Sequence, residues 1–155
     1  MEPVRLGRVP AGLGAPDRFV AVESGEAALL RVDLYSSSDE AFVFEDVRIW
    51  SKFAAIGWGE YVYLVDPRTR QVSTIPLGSH FGHMYPTENH LLVASGERLL
   101  SIAPAGNVVW QSEHLGIDGV VVNKVDGEVV QGEGEWGPPG GWRPFSVSLR
   151  SGQTL

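Results

Sequence analysis

The central part of the chain alternates short apolar runs with turn-forming residues, and the same order occurs twice. In the first copy, at 54–75, two apolar runs flank Gly59-Glu60, and a Pro-bearing turn precedes a third run. The second copy, at 91–110, repeats this order around Gly96-Glu97. Short runs rich in β-branched and aromatic residues, separated by Gly and Pro, are typical of antiparallel strands. The pattern therefore predicts two consecutive three-stranded meanders.

Similar signals occur on both sides of this centre. Further apolar or alternating runs lie at 18–22, 28–34, 42–44, 47–50, 120–125, 128–131 and 145–149. Asp126-Gly127, between two of these runs, favours a tight hairpin because both residues tolerate positive φ. Glycines of the first hairpins, at 25, 59, 96 and 127, recur at intervals of roughly 31 to 37 residues, a spacing typical of stacked or radial repeats. No segment sustains the spacing of an amphipathic helix, so the sequence predicts an all-β fold of repeated three-stranded meanders.

The chain has the size of one domain. Its 155 residues, 43% of them apolar, are enough to bury a core. Residues 1–17 contain Pro and Gly too often for a regular element. We therefore expect a single all-β domain over 1–155, in which 1–17 form an irregular N-terminal leader on the surface or along an edge.

Two segments resemble the blade hairpins of quinoprotein-like β-propellers. Residues 61–72 run from a strand into an Asp-Pro-x-Thr turn, and residues 99–110 leave their turn through a Val-x-Trp sequence, as such blades do. Arg70 stands where the turn of that family has Gly. The resemblance covers about half of the chain and implies a propeller-like arrangement, with a barrel or a sandwich as the alternatives. Part of a propeller would have open edges, which favour a partner or a dimer.

Charge and composition restrict the partners. The formal net charge of -7 disfavours nucleic acid and anionic membranes and favours a basic partner. The chain has no cysteine, which excludes disulfides, thiolate nucleophiles and Cys-ligated zinc. The N-terminal residues lack the apolar core of a secretion signal, and no run approaches the ~18 apolar residues of a spanning helix. The sequence therefore predicts a cytoplasmic protein, and it implies no cofactor.

His80 and His83 are candidate metal ligands. They lie three residues apart in a segment bounded by Gly and Pro, which predicts a loop. An open zinc site needs about three protein ligands, and the segment lacks the His-Glu-x-x-His spacing. The alternative is that both histidines bridge backbone groups between repeats. A metal-dependent enzyme built on them is one hypothesis.

A Gly-, Pro- and Trp-rich insertion at 132–144 is the second candidate site. An irregular stretch of this length is often functional, and its polar and aromatic side chains could hold a sugar or a basic group. These side chains are Glu133, Glu135, Trp136, Trp142 and Arg143. Two carboxylates are also the minimum for glycoside hydrolysis, if they face each other across a substrate. The alternative is that the two tryptophans fold the insertion over the core as a lid.

Asp118 completes the list of candidates. It precedes the run at 120–125 and could act as a base or a binding residue, or it could close an Asx turn around Gly119. The sequence has no nucleophile elbow, Walker loop or dinucleotide fingerprint. The leading hypothesis is therefore a non-enzymatic binding module that contacts a basic protein through its loops, as toxin-immunity proteins do. The alternatives are a carbohydrate-binding protein or glycoside hydrolase, the metal-dependent enzyme above, and, for the partner, a second copy of the chain.

Overall fold

The computed structural model describes residues 2–25, 27–36, 44–137 and 141–155, and these residues form strands and no helix. The all-β prediction is confirmed. The strands are β1 (Val4–Gly7), β2 (Arg18–Ser24), β3 (Ala27–Tyr35), β4 (Asp46–Trp50), β5 (Phe53–Trp58), β6 (Tyr61–Val65), β7 (Val72–Pro76), β8 (Phe81–Pro86), β9 (Leu91–Ser95), β10 (Leu99–Ile102), β11 (Val108–Gln111), β12 (Gly119–Asp126), β13 (Val129–Glu135) and β14 (Trp142–Ser148). The run expected at 42–44 lies outside the described residues except for Phe44. The described parts of the chain include no helix with the length and apolar character needed to span a bilayer.

The strands form four small sheets, which follow one another along the chain. Sheet A has the order β1-β3-β2, sheet B runs from β4 to β7, sheet C from β8 to β11, and sheet D from β12 to β14. Neighbouring strands are antiparallel, except that β1 and β3 are parallel. Each sheet is therefore built from one contiguous stretch of sequence.

The two central sheets have four strands each, so the prediction of three-stranded units is wrong for them. The extra strand of sheet C is β8, which includes His83 and was expected to be a loop. Phe81 and Met84 of β8 are buried in the core, and a register shift at Gly82 allows both to point inward. Because β8 is an edge strand, it also tolerates Pro86. Burial of the two apolar side chains thus outweighs the Gly and Pro signals.

The N-terminal segment is not irregular throughout, as was expected for 1–17. Strand β1 pairs with β3, and its Leu6 is buried against sheet B. The residues after β1 lie along the same sheet. Asp17 donates its backbone N–H to Leu34 O (2.9 Å), and the Tyr35 hydroxyl donates to Gly14 O (3.4 Å). The segment therefore forms part of sheet A rather than a separate leader.

Each pair of consecutive sheets shares a hydrophobic core. Successive side chains of a strand point to opposite faces, so one sheet can pack against two neighbours. One cluster joins sheets A and B, a second joins B and C, and a third joins C and D. Every residue of β5 and of β9 is buried. Sheets B and C are therefore covered on both faces.

A tryptophan lies in each of these cores and forms a hydrogen bond across it. The indole Nε1–H of Trp58, in sheet B, donates to Tyr35 O of sheet A (2.9 Å). Trp50 of sheet B donates to the backbone carbonyl of residue 87, directly after β8 (2.8 Å). Trp110 of sheet C donates to the carbonyl of residue 149, directly after β14 (2.9 Å). The indole group thus buries a large apolar surface and satisfies a carbonyl of the neighbouring sheet.

Candidate functional site

The insertion at 132–144 is a β-hairpin and not a loop. Strands β13 and β14 continue through most of it, with Glu133 opposite Pro144 and Glu135 opposite Trp142. The connection is closed by a hydrogen bond from the Trp136 N–H to Gly141 O (2.9 Å). Residues 138–140, which belong to the predicted insertion, lie outside the described residues. Most of the candidate side chains therefore project from two strands whose backbones are hydrogen-bonded to each other.

Close packing explains the glycines that suggested a loop. A Cβ atom added to Gly134 would lie 1.7 Å from Leu115 O, and one added to Gly132 would lie 2.1 Å from Val121 O. No side chain fits at either position, so glycine allows the neighbouring backbone to approach the strand. The composition of this segment reflects tight packing rather than an irregular chain.

Strand alternation brings some of the candidate residues together and separates others. Val130 and Val147 pack into the core with sheet C, which defines the inner face of sheet D. By the register, Glu133, Glu135 and Trp142 point to the opposite, outer face. Arg143 pairs with Gly134 and points to the inner side. The structure therefore groups two carboxylates with one tryptophan and excludes Arg143 from this group.

The Trp142 ring reaches across the sheet to its first strand. Gly119, Glu135 and Trp142 stand in one row across β12, β13 and β14. A Cβ atom added to Gly119 would lie 3.1 Å from Cη2 of the Trp142 ring. The indole is supported by the glycine and is nevertheless 48% exposed. It offers a rigid aromatic surface to a ligand or a partner.

Asp118 and Trp136 lie at the same end of sheet D. The N–H of Ile117 donates to Glu135 O (2.7 Å), which holds Asp118 at the start of β12 with its side chain exposed. Trp136 follows Glu135 and is also exposed. We call the set of Asp118, Glu133, Glu135, Trp136 and Trp142 the acidic-aromatic surface. It combines three carboxylates with two exposed indoles at one end of the sheet.

His83 connects two sheets. Its Nε2 accepts a hydrogen bond from the Val122 N–H (3.1 Å), so a side chain of sheet C holds the backbone of β12 in sheet D. Burial lowers the pKa of His83; the Asp46 carboxylate raises it in part, and Arg48 lowers it further. The neutral imidazole, with an unprotonated Nε2, is the form that this bond requires.

His80 has a packing role of its own. Its ring contacts Gly96, where an added Cβ would lie 2.4 Å from Cε1, and its carbonyl accepts the Gly96 N–H (3.0 Å). Among the residues that the structure describes, no group of three or more His, Asp and Glu side chains could hold a metal ion. The contacts of His80 and His83 fit the alternative to metal binding, in which both histidines bridge neighbouring segments.

The structure also has a cleft that sequence reasoning missed. A cavity of about 390 Å³ lies between β1 and sheet B, and its lining includes Arg5, Arg8, Tyr35, Tyr61 and Tyr63. Arg5 forms an ion pair with Glu2 (3.0 Å) at its margin. The cleft exists because β1 lies next to β3, and no short-range signal predicted that strand.

The chain matches no protein-family model, and a search of curated proteins finds no match.

Proposed function

We propose that the protein is a non-enzymatic interaction module that binds a protein with basic groups through the acidic-aromatic surface. The observation that carries this proposal is the shared outer face of Glu133, Glu135 and Trp142. The three side chains project from paired strands, so binding orders little additional backbone. A rigid aromatic anchor surrounded by charge is typical of binding hot spots.

The charge of the surface favours a basic partner. Its three acidic side chains agree in sign with the formal net charge of -7. Charge of one sign accelerates association with a partner of opposite charge. An acidic protein that neutralises a basic one, as a toxin-immunity protein does, is one role of this kind, and it is offered as an analogy.

We also propose that the four sheets are consecutive blades of a propeller-like arrangement. Three observations support it: the sheets follow the order of the chain, each shares a core with the next, and the central two have four strands. The turn at 66–70 adds a fourth, because Arg70 has a φ of 65°, a conformation that favours the glycine of the Asp-Pro-x-Thr-Gly turn. These four observations support the resemblance to quinoprotein-like blades.

The test is a comparison of partner binding by matched variants. The protein is purified gently from its own host, any bound polypeptide is identified by native mass spectrometry, and its affinity is measured. We expect Trp142→Ala to weaken binding by at least about tenfold, as for a hot-spot residue. Glu133→Gln should weaken it less and reduce its salt dependence. Glu128→Gln is the control. Glu128 is exposed in the turn between β12 and β13, at the other end of sheet D.

Two results would contradict the proposal. One is the absence of any bound polypeptide, and the other is equal affinity of Trp142→Ala and the wild type. Thermal unfolding of the same variants distinguishes binding from the lid alternative, in which Trp142 only covers the core. In the lid alternative, loss of Trp142 lowers the melting temperature. Because Trp142 is 48% exposed, we expect its loss to change the melting temperature by no more than a few degrees.

A carbohydrate ligand is the second candidate, and the seating of Trp142 favours it. The exposed indole, in contact with Gly119, could stack on a sugar ring, and the neighbouring Glu135 carboxylate could accept hydrogen bonds from its hydroxyl groups. Hydrolysis is less well supported. Glu133 and Glu135 project from one strand to one face, whereas hydrolysis needs carboxyl groups on both sides of the glycosidic bond. Calorimetric titration with a panel of glycans tests this candidate, and heats that are unchanged by Trp142→Ala would exclude it.

A further inference from the structure

The tryptophans of this protein mark the contacts between its sheets. Trp58 lies between sheets A and B, Trp50 between B and C, and Trp110 between C and D, and each donates to a backbone carbonyl of the adjacent sheet. The three residues come from different strands, so the recurrence reflects the type of contact rather than a sequence repeat. At each of these three positions, a large indole on a sheet face accompanies a second sheet that packs on it.

The outer face of sheet D has the same feature, and none of the described strands covers it. Trp142 points from that face and is 48% exposed, whereas Trp50, Trp58 and Trp110 are buried. By the register, the same face includes Val121 and Ser146 as well as the charged Lys124 and Asp126, which form an exposed ion pair (3.5 Å). Among the described residues, the hydrophobic clusters involve the inner face of sheet D, so its outer face has room for one more sheet.

The outer face of sheet A is the complementary surface. Phe19 projects from it and is 61% exposed, with the Arg31 guanidinium 4.7 Å from the centroid of its ring. Asp33 lies beneath Arg31, and its carboxylate, which is bonded to the guanidinium (2.8 Å), is buried. Arg31 itself is about half exposed. The face thus presents an aromatic ring and a cation to its surroundings.

We propose that the occupant of the outer face of sheet D is sheet A of a second copy of this chain. Trp142 would pack beside Phe19 of the partner copy, and Arg31 of that copy would face Glu133 and Glu135. The described residues join sheets A to B, B to C and C to D by hydrophobic clusters, so the outer faces of A and D remain for contacts between chains. Two copies related by a two-fold axis make this contact twice and close a ring of eight sheets, the upper end of the usual range of propeller blades.

This inference rests on the proposed function, because it takes the acidic-aromatic surface as a protein-binding surface and names its partner. It also supplies the basic group that the proposed function requires. The net charge of the chain opposes self-association at long range, but the local pairing of Arg31 with two glutamates offsets this at contact.

The test is the mass of the protein in solution, measured by light scattering and sedimentation. We expect the wild type to have the mass of two chains of 16.8 kDa. Phe19→Asp and Trp142→Asp should each be monomeric, because each removes both contacts of the closed dimer. An equimolar mixture of the two variants should form dimers that are weaker than those of the wild type, since an intact sheet A face and an intact sheet D face restore one of the two contacts. Val109→Asp is the control, because Val109 is 47% exposed on β11, the edge strand of sheet C.

The outcomes separate the inference from the proposed function. A monomeric wild type, or a dimer that Trp142→Asp leaves intact, would overturn the inference. A dimeric Phe19→Asp protein would also overturn it, since that result indicates a contact between two sheet D faces. If the wild type is monomeric and Trp142→Ala abolishes binding of a different polypeptide, the proposed function stands without the inference. If Trp142 affects neither dimer nor any other partner, both fail.

Discussion

At the scale of single residues, Arg70 has a backbone conformation that usually belongs to glycine. Its φ is 65°, and the corresponding turn at 103–107 uses Gly106 with a φ of 100°. The turn is otherwise well formed. The Asp66 carboxylate accepts the backbone N–H of Arg68 (2.9 Å) and lowers its own pKa by doing so, and the Arg70 N–H donates to Asp66 O (2.8 Å). A non-glycine residue in this conformation carries about 1 kcal/mol of strain or more.

We therefore expect Arg70→Gly to stabilise the protein. Relief of strain outweighs the additional entropy of glycine in the unfolded chain and the loss of the exposed hydrogen bond from Arg70 to Glu2 O. The free energy of unfolding should rise by about 0.5 kcal/mol, as measured by urea denaturation with an unchanged m value. Arg68→Gly, in the same turn but without positive φ, is the control and should lower stability. An Arg70→Gly protein less stable than the wild type would contradict the explanation.

The composition of the site could be predicted from the sequence, but its geometry could not. Glu133, Glu135 and Trp142 were candidates because they stand in a Gly- and Trp-rich segment. That Arg143 points away from them depends on the pairing of β13 with β14. The segment was taken for a loop because its glycines have two possible causes, an irregular chain or close packing. Only the position of Leu115 against Gly134 distinguishes the two.

At the scale of elements, side chains that cross between sheets hold the strands in place. His83 is the polar example, since it links β8 to β12 through its bond with the Val122 N–H. The bond requires a neutral imidazole, and burial lowers the pKa of His83 below the ordinary value of 6.5. The contact between sheets C and D should therefore depend on pH.

We expect the protein to lose stability as the pH falls below about 6.5. In that range the unfolded chain binds a proton at His83 and the folded chain resists it, so protonation favours unfolding. The loss should level off below the lowered pKa of the folded state, and its slope stays under about 1.4 kcal/mol per pH unit for one group. Denaturation curves between pH 7.5 and 5 measure it.

His83→Gln removes the titrating group and should remove this part of the slope. His114→Gln is the control, because His114 is about half exposed and faces Glu97 (3.6 Å). A pH profile that His83→Gln leaves unchanged would show that the drop has another source.

Local pattern identified most central strands and missed two at the edges. Strands β5, β6, β9 and β10 follow the apolar runs of the sequence closely. Strand β8 was missed because Gly82 and Pro86 break its pattern, and it forms because Phe81 and Met84 fill the core between sheets B and C. Strand β1 forms by pairing with the parallel strand β3, and the whole of β2 separates the two in the sequence. Both are determined by contacts distant in sequence, which a short window does not contain.

At the scale of the whole molecule, stability is distributed unevenly along the row of sheets. Sheets B and C pack against a neighbour on both faces, whereas A and D do so on one. Local opening takes the least free energy where the fewest apolar contacts are lost. The all-β class of the fold could be predicted from alternation and turn residues in the sequence. Which sheets are buried most could be read only from the structure.

We expect amide hydrogen exchange to reproduce this order. Amides of β5, β6, β9 and β10 should exchange slowest, at the rate of global unfolding, and those of β2 and β14 should exchange faster by one order of magnitude or more. Hydrogen exchange with mass spectrometry or NMR detection measures the rates. Protection of β2 equal to that of β9 in a protein kept monomeric by dilution would contradict the expectation.

The tryptophan in each core also makes the contacts between sheets individually visible to spectroscopy. The chain has five tryptophans, and Trp50, Trp58 and Trp110 each lie in a different core. A variant that retains one of these three, with phenylalanine at the other four positions, has an emission spectrum that reports on one contact alone. Three such variants would follow the separation of A from B, B from C and C from D in the same denaturation experiment.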